Sequence, residues 1–480
     1  MNKKKVFYTL GQLLVLEAVL FLLPLLVAVI YKEDTVFSFL ISAGISATLG
    51  AALMLIFRKR NDIIYAREGF AIVALSWVAL SAAGALPFFI SREIPSYVDA
   101  FFETVSGFTT TGASILVNVE ALSHGMLFWR SFTHWIGGMG VLVFIMAIIP
   151  SVSDRSIHIM RAEVPGPIVG KIVPKAKDSA RVLYLIYIAL TAVMVVFLVL
   201  GDMDLFESFV HAFGTAGTGG FSSNADSIAG YSPYTQWVIT VFMILFGLNF
   251  NLYYLLLVRK FKPVLKNTEL WVYLGIVVAS ICVISLNIYS IYGNIGETIR
   301  TSSFQVATII STTGYATADF NLWPGLSKAI LLILMFFGSC AGSTAGGLKI
   351  SRVIILIKMI RNEMRHLLSP KRVNTVKMDG KQVDASVIKN AGNYFVLYIF
   401  CFGAIFLLLS FEPFSMETNF SATAACFNNV GPGFDAVGPT SNFSEYSAFS
   451  KILLSFAMLL GRLELFPMIL LFSRSLWRKK

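Results

Sequence analysis

The chain has 480 residues, of which 56% are hydrophobic and only 14% charged. Soluble domains carry about 25% charged residues, so a string of water-soluble domains is excluded despite the length. The net charge of +11 would suit nucleic acid, but the positive residues sit in short blocks between long apolar runs, as in a polytopic membrane protein. Cys282, Cys340, Cys401 and Cys426 lie far apart in or beside apolar stretches and show neither a disulfide framework nor a zinc spacing.

A helix needs about 20 apolar residues to cross the hydrocarbon core. That length predicts ten spans, near 8–31, 36–57, 70–90, 126–149, 182–200, 236–258, 271–292, 324–360, 391–411 and 449–472. The first follows Lys3-Lys4-Lys5, is too long for a signal peptide and has no small-residue cleavage site, so it reads as a retained helix. One set of loops and ends holds 31 of the 38 Lys and Arg residues: Lys3–Lys5, Arg58–Arg67, Arg155–Arg181, Arg259–Lys266, Lys349–Lys389 and Arg474–Lys480. The opposite loops are acidic. The positive-inside rule then places both termini in the cytoplasm.

The acidic-side loops after spans three, five, seven and nine resemble one another. They read Phe102…Thr109-Thr110-Thr111-Gly112, Phe209…Gly217-Thr218-Gly219, Phe304…Ser311-Thr312-Thr313-Gly314 and Phe420…Asn429-Val430-Gly431. In the first three a Phe precedes the final Gly by ten positions; in the fourth, by eleven. The expected architecture is an all-α membrane protein of four tandem helix–pore-loop–helix repeats around a central pore. The boundaries read 1–62 for an N-terminal two-helix hairpin, then 63–160, 161–262, 263–378 and 379–480 for the repeats.

The half-apolar segments before these loops, such as 97–108 and 205–215, are too short to span and suit re-entrant helices. Extended backbone at that depth needs a polar environment, because unsatisfied peptide groups cost several kcal/mol in lipid. Four such turns around one axis meet the need by presenting oxygen dipoles to a cation. Neutral carbonyl ligands replace the hydration shell of K⁺ more readily than that of Na⁺, and hold the ion loosely enough to release it. The expected filter is Thr110, Thr111, Gly112, Gly217, Thr218, Gly219, Thr312, Thr313, Gly314, Asn429, Val430 and Gly431. Asn429 and Val430 break the hydroxyl pattern, so one good K⁺ site is expected there.

These motifs resemble the membrane subunit of the Trk/Ktr/HKT superfamily of potassium transporters, in its TrkH-like branch. Also carrying the resemblance are Trp135-Ile-Gly-Gly-Met-Gly140, Arg161-Ala-Glu-Val-Pro-Gly-Pro167, Cys340-Ala-Gly-Ser-Thr-Ala-Gly-Gly-Leu-Lys349 and Gly461-Arg-Leu-Glu464. The resemblance implies a homodimer with one pore per subunit, in a bacterial or archaeal cytoplasmic membrane. It further implies a TrkA-like cytosolic ring that binds nucleotides and controls the gate. No covalent cofactor and no nucleic-acid partner are expected, and K⁺ is the transported ion.

Span eight is interrupted by Gly338–Gly347. Two readings fit: a close-packed small-residue helix crossing, or a flexible loop beneath the filter with the Ser343 and Thr344 hydroxyls near the pore. The resemblance favours the loop as a gate, which marks Gly342, Ser343, Thr344, Gly346 and Gly347. The stretch also resembles a phosphate loop, but Leu348 intrudes before Lys349 and the surroundings are apolar. Arg462 lies deep in the last span, where a charge is costly unless it faces water or a partner. It reads either as a structural or snorkelling arginine or as a cation-repelling gate residue. Glu17 in the hairpin has no partner that sequence identifies. His134 and His211 read as packing residues.

The expected function is K⁺ uptake through a gated, channel-like pore. The alternatives are an H⁺- or Na⁺-coupled K⁺ symporter and, from another class, a membrane-embedded enzyme. No filter carries a carboxylate and no nucleophile–base cluster lies in the spans, which disfavours both. The carboxylates Asp99, Glu103, Asp202 and Glu207 read either as charge that gathers cations at the mouth or as solvated surface acidity. The 361–389 stretch, with Arg361, Arg365, Lys371, Arg372, Lys377 and Lys381, reads either as a docking face for an acidic partner or as solvated charge set by topology.

Overall fold

The computed structural model describes residues 2–57, 66–140, 176–370 and 375–478. The Arg161–Pro167 motif, the end of span four, Arg58–Arg60, Lys371 and Arg372 lie outside them. Among the described residues six helices are long and apolar enough to cross a membrane: Lys3–Ile30, Val36–Ile56, Arg67–Ser91, Ala180–Val199, Thr268–Tyr292 and Ala385–Leu409. The last four are the leading helices of four units, and the first two form the hairpin.

The hairpin closes tightly because neither Gly11 nor Gly50 has a side chain. A methyl on Gly11 would lie 2.6 Å from the Gly50 carbonyl oxygen, and one on Gly50 would lie 2.7 Å from that of Gly11. The hairpin braces the first unit through its turn. The Glu33 carboxylate accepts from the backbone N–H groups of His124 (2.6 Å) and Gly125 (3.0 Å), satisfying donors left open at the start of helix His124–Gly138. Lys3 stands 5.9 Å from the Trp477 ring, so the two ends of the chain share one face.

Each unit continues from its leading helix into a short pore helix: Tyr97–Phe108, Leu205–Gly217, Ile295–Ile310 and Met416–Phe427. All four begin alike. The side chains of Ser96, Asp204, Asn294 and Ser415 cap the N-terminal N–H groups, and Asp99, Glu207, Glu297 and Glu417 occupy the first turn. Acids there complement the positive end of a helix dipole and leave its negative end at the loop that follows. The re-entrant segments expected at 97–108 and 205–215 are therefore helices, the second two residues longer than expected.

The trailing helices depart from expectation. Spans six and ten were expected to be unbroken, yet the sixth turns by 90° between Pro233–Phe246 and Phe250–Leu257, and the tenth breaks between Ala448–Arg462 and Phe466–Leu471. The eighth breaks between Gly325–Phe337 and Ile350–Leu368, as the sequence suggested. In the fourth, the described helix ends at Gly138. A glycine stands at each of these places: Gly137, Gly247, Gly338 and Gly461. In units one and four the reason is contact, since a methyl on Gly137 or Gly461 would overlap the Phe108 or Phe427 carbonyl at the end of a pore helix. A two-stranded hairpin, Lys377–Met378 paired with Lys381–Gln382, adds a small non-helical element across residues 378 and 379.

Candidate functional site

Four turns follow the four pore helices, and their backbones repeat. Thr110, Thr218, Thr312 and Asn429 all take φ between +54° and +58°, and two residues later Gly112, Gly220, Gly314 and Gly431 take φ of +77° to +101°. The intervening residue donates its N–H five residues back in every case: Thr111 to Ser106 (2.9 Å), and Gly219, Thr313 and Val430 to Gly214, Thr308 and Ala425 (2.8 Å each).

This pattern corrects the register of the second loop. Gly219 stands where Thr111, Thr313 and Val430 stand, and Gly220 is the counterpart of Gly112, Gly314 and Gly431. The repeated Phe misled the count. Phe209 is 38% exposed, whereas Phe102 and Phe304 are fully buried, and their true counterparts are the buried Val210 and Ser421. With that shift the pre-glycine interval of the fourth loop also ceases to be an exception.

The turns close into a ring. A methyl on Gly112 would overlap the Gly219 carbonyl oxygen, one on Gly220 that of Thr313, and one on Gly314 that of Val430; one on Gly431 would lie 2.7 Å from that of Thr111. Each glycine thus backs onto the third-position carbonyl of the next unit, which only a residue without Cβ permits. Above this ring the loops are tied in the same cyclic order. Ala225 N–H donates to Glu120 (3.1 Å), Ile228 N–H to Ala316 (3.0 Å), Asp435 N–H to Asn321 (3.0 Å), and Phe443 N–H to Ser114 (2.8 Å).

Side chains behind the ring fix its shape. Thr111 shares a hydrogen bond with the Thr109 hydroxyl (2.8 Å), and Thr313 with Ser311 (2.7 Å). The fourth turn has no such pair, yet Asn429 replaces it by donating from Nδ2 to the Thr111 hydroxyl and the Met458 carbonyl, both at 2.9 Å. Its Oδ1, like Thr110 Oγ1 at the same position in the first turn, is buried with no partner among the described residues. His134 lies against Gly219, with Nδ1 2.8 Å from the Gly107 carbonyl. His211 contacts the Ser222 hydroxyl at 2.9 Å and the Glu207 carbonyl at 2.8 Å. Both fill space behind the turns.

Of the four carboxylates expected at the mouth, Glu103 is withdrawn into the fold and the others have local partners or cap helices. Glu103 is buried and pairs with Arg130 (2.6 Å), and it also accepts from the Ser114 hydroxyl (2.9 Å) and Ile115 N–H (3.0 Å). Arg130 reaches on to the Ser222 carbonyl (3.0 Å) and lies 3.5 Å from the centre of the Phe221 ring, joining the first turn to the second. Asp99 pairs with Lys451 (2.7 Å), Asp202 accepts from Ser232 and Thr235, and Glu207 lies in a helix's first turn. Sequence periodicity carried no signal for the Glu103–Arg130 pair, because its partners come from different helices.

Beneath the ring, residues 338–349 form an irregular loop, with positive φ at Gly338, Gly342, Gly347 and Lys349. It is not a helix crossing. Gly346 N–H donates to the Thr312 hydroxyl (2.7 Å), and a methyl on Gly346 would overlap the Asn428 carbonyl, so the loop sits directly against the third and fourth turns. The Ser343 and Thr344 hydroxyls donate to backbone carbonyls, of Cys340 (2.7 Å) and Phe246 (3.3 Å). Arg462 is buried and donates to the carbonyls of Thr344 (2.6 Å), Gly137 and Gly138 (2.6 Å). Glu464 pairs with Arg352 across the chain. Glu17 is buried in the hairpin with both carboxyl oxygens unpartnered among the described residues, beside Gly84.

The negative ends of four pore helices thus meet at a ring of backbone oxygens, an arrangement that favours a cation without a fixed charge. Residues 36–479 match the TrkH family model, described as a cation transport protein. The chain is 34% identical over 476 residues to Trk system potassium uptake protein TrkH of Escherichia coli strain K12, covering 98% of each. It is 35% identical over 474 residues to the same organism's Trk system potassium uptake protein TrkG, covering 98% of this chain and 97% of that one. The crystal structure of the potassium transporter TrkH from Vibrio parahaemolyticus superimposes with a TM-score of 0.89 at 31% identity, over the whole of both chains. This chain belongs to the TrkH family of cation transport proteins.

Proposed function

We propose that this protein takes up potassium across the cytoplasmic membrane through a channel-like pore whose filter is the ring of four turns. The observation that carries the reading is the closed ring itself, with each positive-φ glycine seated on the next unit's carbonyl. The filter residues are Thr110–Gly112, Thr218–Gly220, Thr312–Gly314 and Asn429–Gly431, with Gly217 closing the second pore helix just before its turn. The loop at Gly342, Ser343, Thr344, Gly346 and Gly347, together with Arg462, is the gate. In support, Arg462 bridges the loop at Thr344 to the first unit at Gly137 and Gly138, placing a fixed positive charge beneath the filter.

The basic face that holds both termini faces the cytoplasm, as the loop charges favour. There a TrkA-like nucleotide-binding ring docks, and the protein works as a homodimer with one pore per subunit. An inside-negative potential drives each ion inward by about 2.3 kcal/mol per 100 mV.

The test is planar-bilayer recording of the purified chain across opposed K⁺, Na⁺ and pH gradients. A reversal potential that follows K⁺ alone is the expected result. A reversal that shifts with Na⁺ or pH would replace the channel reading with coupled symport.

A further inference from the structure

The loop beneath the filter has two feet, and one carboxylate holds both. Glu269, buried in the first turn of helix Thr268–Tyr292, accepts at Oε1 from the N–H of Ala341 (2.7 Å) and from the N–H of Ser351 (3.0 Å). Ala341 is the fourth residue of the loop and Ser351 lies in the first turn of the helix that leaves it. The nine residues between them, of which Gly342, Gly347 and Lys349 carry positive φ, have no helix or strand of their own until Ile350. Fixing both feet to a single oxygen, together with the Ile350 N–H bond to the Ser339 carbonyl (3.1 Å), sets the span of the loop.

The helix that carries Glu269 is itself held from outside the bundle. The turn of the small hairpin, Asp379-Gly380, has φ of +52° and +77°, the geometry of a tight two-residue connection. Asp379 accepts from Thr268 N–H (2.7 Å) and from the Asn267 side-chain amide (3.2 Å), one and two residues before Glu269. The hairpin packs through Val376, Met378 and Val383 onto Ile355 of the helix after the loop and Ala391 of the fourth unit. Lys358 Nζ donates to the Lys377 carbonyl (2.8 Å). The hairpin is thus attached to the elements on both sides of the loop.

We propose that Glu269 is a positioning residue that holds the loop across the ion path, and that the Asp379 hairpin is the handle through which force on the basic face releases it. This rests on the reading of the loop as the gate. Displacing the hairpin removes the Asp379 cap from Asn267 and Thr268, loosens the first helical turn, and withdraws one carboxylate from two N–H groups at once. A cytosolic partner need not touch the loop to open it.

The experiment uses the full chain in liposomes, with rubidium-tracer flux and maleimide labelling of Cys340 in a background where Cys282, Cys401 and Cys426 are Ser. Cys340 is fully buried at the first foot, so its labelling reports release of the loop independently of flux. E269A, which removes the accepting oxygen, is expected to raise flux several-fold and to expose Cys340. D379N should do both to a lesser degree, and E269A/D379N should match E269A alone. E269D, which keeps the charge but shortens its reach, should shift both readouts in the same direction and serves if E269A does not fold. R462A separates the two readings. If R462A raises flux while the Glu269 variants leave flux and labelling unchanged, the clasp is overturned and the gate stands. If folded R462A and loop-shortened variants also leave flux unchanged, the gate reading falls as well. Additive effects of E269A and D379N would overturn the hairpin as the handle.

Discussion

The outer and inner halves of the bundle obey different rules. In the outer half four units with little sequence in common share a side-chain-capped pore helix and repeat the two positive-φ positions of the turn almost angle for angle. In the inner half the same units diverge. One trailing helix bends by 90°, one dissolves into a loop, and one carries Arg462 one residue after Gly461, where the first unit has Gly138 after Gly137. Ligating an ion on an axis demands equivalent oxygens from every side, so the backbone is held constant whatever side chains surround it. Closing a path needs only one obstruction, and a single obstruction is necessarily asymmetric. On the proposed reading, symmetry goes with ion binding and its loss with control of passage.

The strongest way to break this contrast is at the corrected glycine. Gly220→Ala forces a side chain onto positive φ and into the Thr313 carbonyl, a strain of about 1–3 kcal/mol at the filter. Potassium uptake in a transport-deficient cell should fall by about tenfold or more, as for Gly112→Ala; normal uptake by Gly220→Ala would return the filter position to Gly219. Next comes the bond between the first two turns. Glu103→Ala leaves Arg130 buried without its partner and should cost about 3–5 kcal/mol, read as loss of the folded fraction on heating in detergent.

On the inner half, Arg462→Ala should raise potassium flux several-fold with selectivity unchanged. A fall in flux from well-folded protein would assign Arg462 to packing alone. Asn429→Ala removes the cross-brace to Thr111 and should destabilise by about 1 kcal/mol while broadening K⁺ over Na⁺ preference, measured as relative tracer uptake.

The smallest effect concerns Asp435, outside the membrane between the third and fourth units. Hydrogen bonds from the Ser415 (2.6 Å) and Thr418 (2.7 Å) hydroxyls hold its carboxyl below the ordinary value of 3.8. The stabilisation is complete above that ordinary value and fades as pH falls through the lower folded one. The melting temperatures of the parent and Asp435→Asn should therefore differ at neutral pH and converge under strong acid.

Much of this was legible in the chain. Apolar runs located the leading helices to within a few residues, and short half-apolar segments located the pore helices, because each element is set by its own length and composition. The small-polar turn ending in glycine was visible four times. What failed was register: a Phe that recurs at a fixed interval is a marker only if it faces the same way each time, and Phe209 does not. The partners of the carboxylates were hidden for a related reason. Asp99, Glu103, Asp202 and Glu207 look like a mouth charge in one dimension, but each is occupied by a cap, a helix end or a partner from another helix.

The amino-acid sequence by itself determined that the chain lives in a membrane, how many times its units recur, and which residue types form the turns, since hydrophobic length and backbone permissiveness are local properties. Only the tertiary structure decided which glycine of the second turn belongs to the ring, that Glu103 is a buried partner of Arg130, and that Glu269 holds both feet of the loop. Those facts concern atoms brought together from distant segments, where packing and hydrogen-bond geometry settle what no spacing along the chain can express.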